Sequence, residues 1–145
     1  FDAPAMLEEV RFNREKLLIA EDNELNAEIL KTLLESRNLS VVWAENGKVA
    51  AERFAESEPG EYAAILMDVR MPVMDGLEAT RRIRGMTRED ARCIPIFALS
   101  ANAFADDIQR SLQCGMNTHF NKPVDMDSIC AALHYWLEHD KGNRS

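Results

Sequence analysis

No apolar run in this chain approaches the roughly 20 residues needed to span a bilayer. The first residues, Phe1-Asp2-Ala3-Pro4, lack the basic stretch and apolar core of a signal peptide, so a cytoplasmic domain without membrane contact is expected. Cysteine is scarce. Cys93, Cys114 and Cys130 are odd in number and never in C-x-x-C spacing, which favours reduced, packed thiols over a disulfide framework. The three histidines form no zinc pattern, since His134 and His139 stand five apart and cannot share a helix face. Positive charge is in deficit: 17 Lys and Arg face 25 Asp and Glu, for a formal net charge of -8. That argues against a broad basic surface for nucleic acid. Internal repeats and low-complexity segments are also missing. What remains is 145 residues at 46% hydrophobic and 29% charged, the profile of one globular domain with a sizeable core.

Residues 1–14 mix Pro, Glu, Arg and apolar side chains without a period and are expected to be a linker or flanking extension. Residues 15–140 then alternate short apolar runs with helical patterns, and 141–145 form a tail. Lys16 to Ala20 is the first apolar run, closed by Glu21-Asp22-Asn23, where Asn23 can cap a helix. Leu25, Ile29, Leu30, Leu33 and Leu34 recur with helical period. Ser40 to Ala44 is β-branched and aromatic, so a strand. Asn46-Gly47 turns into a helix marked by Val49, Ala50 and Phe54. Ala63 to Asp68 is the third strand, broken by Pro72 and by Asp75-Gly76. A third helix follows through Leu77, Thr80 and Ile83, with Arg81, Arg82 and Arg84 read as a solvated face. Residues 85–92 read as a polar loop. Ile94 to Leu99 ends at Ser100. A helix from about Ala103 to Cys114 leads to a fifth strand, Thr118 to Asn121, then Lys122-Pro123. The last helix carries Met126, Ile129, Cys130, Leu133, Trp136 and Leu137. Five β–α units with continuous apolar strands imply a parallel sheet covered on both faces.

Right-handed crossovers place every strand's C-terminal end on one edge, where open α/β sheets bind ligands. Four of the five ends carry polar groups: Glu21 and Asp22, Asp68, Ser100, and Lys122. Three carboxylates in one crevice repel, by about 4 kcal/mol per pair at 4 Å and an effective dielectric near 20. A divalent cation removes that cost, and all-oxygen ligation suits magnesium, manganese or calcium rather than zinc or copper. A lysine and a hydroxyl across the site suit a phosphoryl group. The residue types point to phosphoryl transfer.

Ala20-Glu21-Asp22-Asn23, Met67-Asp68-Val69-Arg70-Met71-Pro72-Val73-Met74-Asp75-Gly76, Ala98-Leu99-Ser100-Ala101 and Asn121-Lys122-Pro123 together resemble the signatures of two-component response-regulator receiver domains. The match covers about Lys16 to Leu137. Glu21-Asp22-Asn23 with Asn26, and the Leu-Glu-Ala-Thr-Arg-Arg-Ile-Arg run from Leu77, are similar to receivers of hybrid histidine kinases. The resemblance implies a (βα)5 flavodoxin-like three-layer fold, with the five-stranded parallel sheet in order 2-1-3-4-5. It implies that Asp68 accepts a phosphoryl group from a phosphohistidine, with Lys122 and Ser100 binding the arriving group. Asp22, Asp68 and the backbone carbonyl of Arg70 would ligate Mg2+ (Mn2+ as a substitute), with Glu21 acting mostly through water. The Lys122–Pro123 bond would be cis. Arg70 and Asn102 occupy positions that tune phosphoryl lifetime in the family.

Two positions depart from the family pattern. Ser100 stands where Thr is frequent, but the hydroxyl is retained. His119 stands where many receivers carry a switching Tyr or Phe; the plain alternative is a half-exposed strand residue. The implied partners are a histidine kinase or histidine phosphotransfer domain, or kinase domains of the same parent chain, which could itself be membrane-anchored. The domain would catalyse its own phosphorylation and slow dephosphorylation, switching the face formed by helix 4, strand 5 and helix 5. Two rival readings compete. A magnesium-dependent phosphohydrolase would also use a strand-end Asp, but its familiar class wants a second acid where Arg70 stands. A pseudo-receiver that only binds partners predicts a damaged acidic set, and here the set is intact.

Overall fold

The structure is a computed structural model describing residues 12–101 and 105–144, the side chains of 105–107 and 139–144 excepted. Five strands, β1 (Lys16–Ala20), β2 (Ser40–Ala44), β3 (Ala64–Asp68), β4 (Ile96–Ser100) and β5 (Thr118–Asn121), form one sheet in order β2-β1-β3-β4-β5. All four pairings are parallel. The helices are α1 (Glu24–Glu35), α2 (Gly47–Glu56), α3 (Gly76–Arg84), α4 (Ala105–Cys114) and α5 (Met126–Arg144). This is the expected flavodoxin-like order.

The central strands are buried along their whole length because both sheet faces are covered. Alternate side chains therefore feed two cores. Leu18, Ala20, Ile65, Met67 and Ala98 point to the layer holding Phe54 of α2 and Ile83 of α3. Leu17, Ile19, Leu66, Phe97 and Leu99 point to the layer holding Leu34 of α1 and Leu133 of α5. Phe12, which the sequence reading assigns to the flanking segment, lies in this second layer. Its N–H donates to the Arg37 carbonyl, and the Asn38 side-chain amide donates to the Phe12 carbonyl at 2.7 Å.

Helix starts are fixed by short polar side chains that accept orphan N–H groups. Asn23 accepts from the Asn26 N–H, Asn46 from Val49 and Asp75 from Glu78. Two glycines permit close approach beside the sheet edge. A Cβ at Gly76 would overlap the Asp68 carbonyl oxygen, and one at Gly47 would overlap the Met74 carbonyl oxygen. So the loop after β3 is pinned on both sides, by the start of α3 and the start of α2.

Two expectations change. Residues 85–92 are not only a polar loop: a helical turn spans Asp90–Cys93, and Arg88 pairs with buried Asp90 at 2.7 Å. Arg88 also donates to the Phe54 and Ser57 carbonyls. Arg81 and Arg82 lie on the solvated face beside Glu78, but Arg84 does not. It turns inward and donates to the carbonyls of Gly115 and Ala91 and to Asn117 Oδ1, tying α3 to the ends of α4 and β4. Position 84 shares a charged helix terminus with its neighbours, so composition could not separate it from them.

Replacing Arg84 with Met should remove the side-chain donor from the Gly115 and Ala91 carbonyls, leave Asn117 Oδ1 with only the Ile96 N–H, and lower unfolding stability by about 2–4 kcal/mol in a urea titration. Arg82→Met, on the exposed side, should change it by less than about 0.5 kcal/mol.

Candidate functional site

At the C-terminal edge of the sheet, β1 delivers Glu21 and Asp22, β3 delivers Asp68, β4 delivers Ser100 and the end of β5 delivers Lys122. Glu21 and Asp68 are only 3% and 5% exposed, while Asp22 is open to solvent. One carboxylate oxygen from each of Glu21, Asp22 and Asp68 lies within 4.8 Å of the others. Lys122 Nζ donates to Glu21 Oε2 and Asp68 Oδ2, both at 2.8 Å. Three carboxylates and one ammonium leave two formal negative charges in the crevice. The donor set is all oxygen and one side of it is open, so the residues fit a hard divalent cation such as Mg2+.

Sequence proximity accounts for little of this. Lys122 and Glu21 are 101 residues apart, and meet because β1 and β5 flank β3 and β4 in a sheet whose strands all end on one edge. The Lys122 N–H donates to the Ser100 carbonyl at 2.8 Å, which fixes the ammonium's point of origin. The following Lys122–Pro123 peptide is cis, as the resemblance implied. Ser100 is buried and lines the same cavity of about 300 Å3, with Asn26, Arg70 and Ala101 at its margin.

Burial sets the electrostatics. It pushes the Asp68 carboxyl up to about 6, against the pull of the Lys122 ammonium and with the added push of Glu21. Burial also works to lower Lys122, but its hydrogen bonds to Asp68 and Glu21 outweigh it and hold the ammonium above its ordinary value. Asp68 is thus a carboxylate kept near its titration range, with a fixed cation beside it.

The structure brings together six of the residues singled out from sequence: Glu21, Asp22, Asp68, Arg70, Ser100 and Lys122. His119 is half-buried on β5, opposite Ala98 in register, and does not line the cavity. Asn102 lies outside the described residues.

Two features escaped the sequence reading. Trp43 Nε1 donates to the Glu21 carbonyl at 2.7 Å, a contact between strands that no local pattern encodes. On α1, Ala27, Leu30 and Leu34 are buried, but Leu25, Ile29 and Leu33 are 65%, 51% and 44% exposed. The surplus was readable: five apolar residues on one short helix cover more than a single buried stripe. Ile29 and Leu33 line a groove of about 470 Å3 with Pro123 and Val124, and Glu21 and Lys122 form its end.

Comparison with known proteins agrees with this geometry. Residues 17–134 match the response regulator receiver domain family. Hybrid signal transduction histidine kinase I of Dictyostelium discoideum is 38% identical over 113 residues, which are 77% of this chain and 6% of that protein. The chain therefore spans a small part of the length of that curated relative. The receiver domain of sensor histidine kinase PA1611 from Pseudomonas aeruginosa, solved with magnesium coordinated in its active-site cleft, is 39% identical with a TM-score of 0.74, covering 86% of this chain and 98% of that one. The receiver domain of Ssk1 from Saccharomyces cerevisiae, solved in complex with the histidine phosphotransfer protein Ypd1, is similar at 31% identity and a TM-score of 0.75, covering 86% and 90%.

A carboxyl raised on folding favours the folded state below its ordinary value, and that contribution is lost as pH rises through about 6. Asp68→Asn should therefore unfold at a higher temperature than the unsubstituted chain at pH 7.5. The difference should shrink as pH falls to about 4.5. Magnesium should raise the melting temperature of the unsubstituted chain more than that of Asp68→Asn. Differential scanning fluorimetry over that pH range reads all three effects.

Proposed function

The chain belongs to the response regulator receiver domain family, a module of two-component phosphorelays, and from that premise we propose that Asp68 is its phospho-acceptor. The observation that carries the reading is the 2.8 Å ion pair of Lys122 with a buried strand-end Asp68, inside a three-carboxylate cluster.

One Asp68 oxygen attacks the phosphorus of a phosphohistidine. A P–O bond forms, the P–N bond breaks, and the imidazole leaves with the bonding pair and takes a proton from solvent. Asp22, Asp68 and the Arg70 carbonyl would hold Mg2+, with Glu21 acting mostly through water, and the bound ion would supply positive charge against the carboxylates and the incoming phosphoryl oxygens. The remaining work falls to this chain's own groups. Lys122 already faces the oxygen that reacts, and its ammonium can follow the charge onto the phosphoryl group without leaving the site. Ser100 supplies a hydroxyl from the neighbouring strand end. The Asp68 carbonyl sits against Gly76, so the acceptor's backbone is fixed before the donor arrives. By the family resemblance, Arg70 and Asn102 would tune the lifetime of the phosphoryl group.

The donor is a histidine phosphotransfer domain or a histidine kinase, by analogy with the partner of the Ssk1 receiver. Its seat is the exposed face of α1: Leu25, Ile29 and Leu33 are exposed there, and Ile29 and Leu33 line a groove shared with Glu21 and Lys122. An apolar face continuous with the acid cluster would bring the donor histidine to Asp68. Phosphorylation then draws Ser100 and Lys122 toward the new oxygens and biases α4, β5 and α5 through His119 and the backbone bond between Lys122 and Ser100. Fusion to kinase domains of a hybrid parent fits the relatives' architecture.

With magnesium and acetyl phosphate, intact mass should rise by one phosphoryl group. Asp68→Asn should abolish the gain, and Lys122→Ala should slow it by more than about tenfold. A mass gain in Asp68→Asn would overturn the assignment. Ile29→Glu or Leu33→Glu should slow transfer from a phosphorylated histidine phosphotransfer domain by about tenfold or more, while leaving the acetyl phosphate reaction unchanged.

A further inference from the structure

Glu21 is held at four points. Its N–H donates to the Ala44 carbonyl at 3.1 Å, the last bond of the β1–β2 ladder. Its carboxylate accepts from Lys122 Nζ at 2.8 Å and from the Asn23 N–H at 3.2 Å. Its carbonyl accepts from the Trp43 indole at 2.7 Å. Only the last of these comes from a side chain outside the motifs that built the site.

The ladder explains why an indole is needed. In a parallel pair, a residue that donates to one carbonyl of its neighbour strand accepts from the N–H two residues further along. For Glu21 that donor would be Asn46. But β2 ends at Ala44, and Asn46 has turned away to cap α2, where its side chain accepts from Val49. The Glu21 carbonyl would be left without its strand partner at a buried position, at a real cost. Trp43, one residue before the end of β2, supplies the missing donor from its side chain. Tryptophan is suited to this: its ring is rigid, reaches past the strand end, and carries one N–H and no acceptor.

We infer that Trp43 is a positioning residue for the cation-binding end of this site, holding the Glu21 peptide so that the Glu21 carboxylate stays on the acid cluster. The inference rests on the proposal above that the cluster binds Mg2+. Without the indole bond, the Glu21 peptide can rotate about the strand end, and its carboxylate no longer keeps a fixed place beside Lys122 and Asp68. Outer partners of metal-binding groups act in this way, and their loss typically weakens binding by about 10–100-fold. Trp43 touches neither phosphoryl donor nor acceptor, so the maximal rate should survive its loss.

The test is magnesium binding by isothermal titration calorimetry on the unsubstituted chain, Trp43→Phe, Glu21→Gln and the double variant. The expected result is an increase in the magnesium dissociation constant of about tenfold for Trp43→Phe. The phosphorylation rate with acetyl phosphate should need correspondingly more magnesium but reach the same plateau. In the Glu21→Gln background, Trp43→Phe should add less than about twofold, because the indole acts through that carboxylate. Tight binding by the unsubstituted chain with no change in Trp43→Phe overturns the positioning role alone. No magnesium binding by the unsubstituted chain overturns the cation site and the inference together. A full tenfold loss persisting in the Glu21→Gln background would also overturn the role, assigning the effect to general packing. Should Trp43→Phe fail to fold, proton NMR of the unsubstituted chain decides. The Trp43 indole N–H signal should shift on adding magnesium while that of Trp136 stays in place, and a static Trp43 signal overturns the inference.

Discussion

One ammonium shared between two buried carboxylates is the constraint on which the functional end of this molecule depends. Lys122 Nζ sits 2.8 Å from both Glu21 and Asp68. Removing it would leave two nearly dry carboxylates facing each other with a third close by. Removing the carboxylates would leave a half-buried ammonium unpaired. Each half offsets the cost of burying the other, and they meet because the sheet order places the ends of β1, β3 and β5 around one crevice. The arrangement is still unfinished in charge. Two formal negatives remain, and burial holds Asp68 near a pKa of about 6 rather than at its ordinary value. A site left short of positive charge at its open side is prepared for a cation and then for a phosphoryl group, and a conventional buried ion pair would not be.

The scaffold around this crevice is held by close backbone approaches near it and by a part-buried guanidinium at the far end of the sheet. Gly76 and Gly47 let backbone press against the loop that follows Asp68 on two sides. Arg84 locks the far ends of α3, α4 and β4 by hydrogen bonds to two separate segments, the turn holding Ala91 and the α4–β5 turn holding Gly115 and Asn117. The exposed apolar face of α1 lies on the opposite flank and runs into the same crevice through Ile29, Leu33, Pro123 and Val124.

The sequence by itself determined the fold class and most of the site. Apolar runs ending in Glu21-Asp22, Asp68, Ser100 and Lys122 determine the parallel sheet, because only a sheet buried on both faces tolerates such strands, and only right-handed crossovers bring their ends to one edge. The helix starts at Asn23, Asn46 and Asp75 were equally local, since a cap bonds within its own first turn. What the tertiary structure decided is everything that depends on a partner distant in the chain. Arg84 reads like Arg81 and Arg82 until the α4–β5 turn is placed above it. Leu25, Ile29 and Leu33 read like Leu30 and Leu34 until the sheet has chosen which side of α1 to cover. Trp43 reads as one more strand aromatic until β2 is seen to stop two residues too soon for Glu21. Periodicity records which residues are apolar and how often, but exposure and hydrogen-bond partnership belong to pairs of elements, and the pairing exists only once the chain has folded.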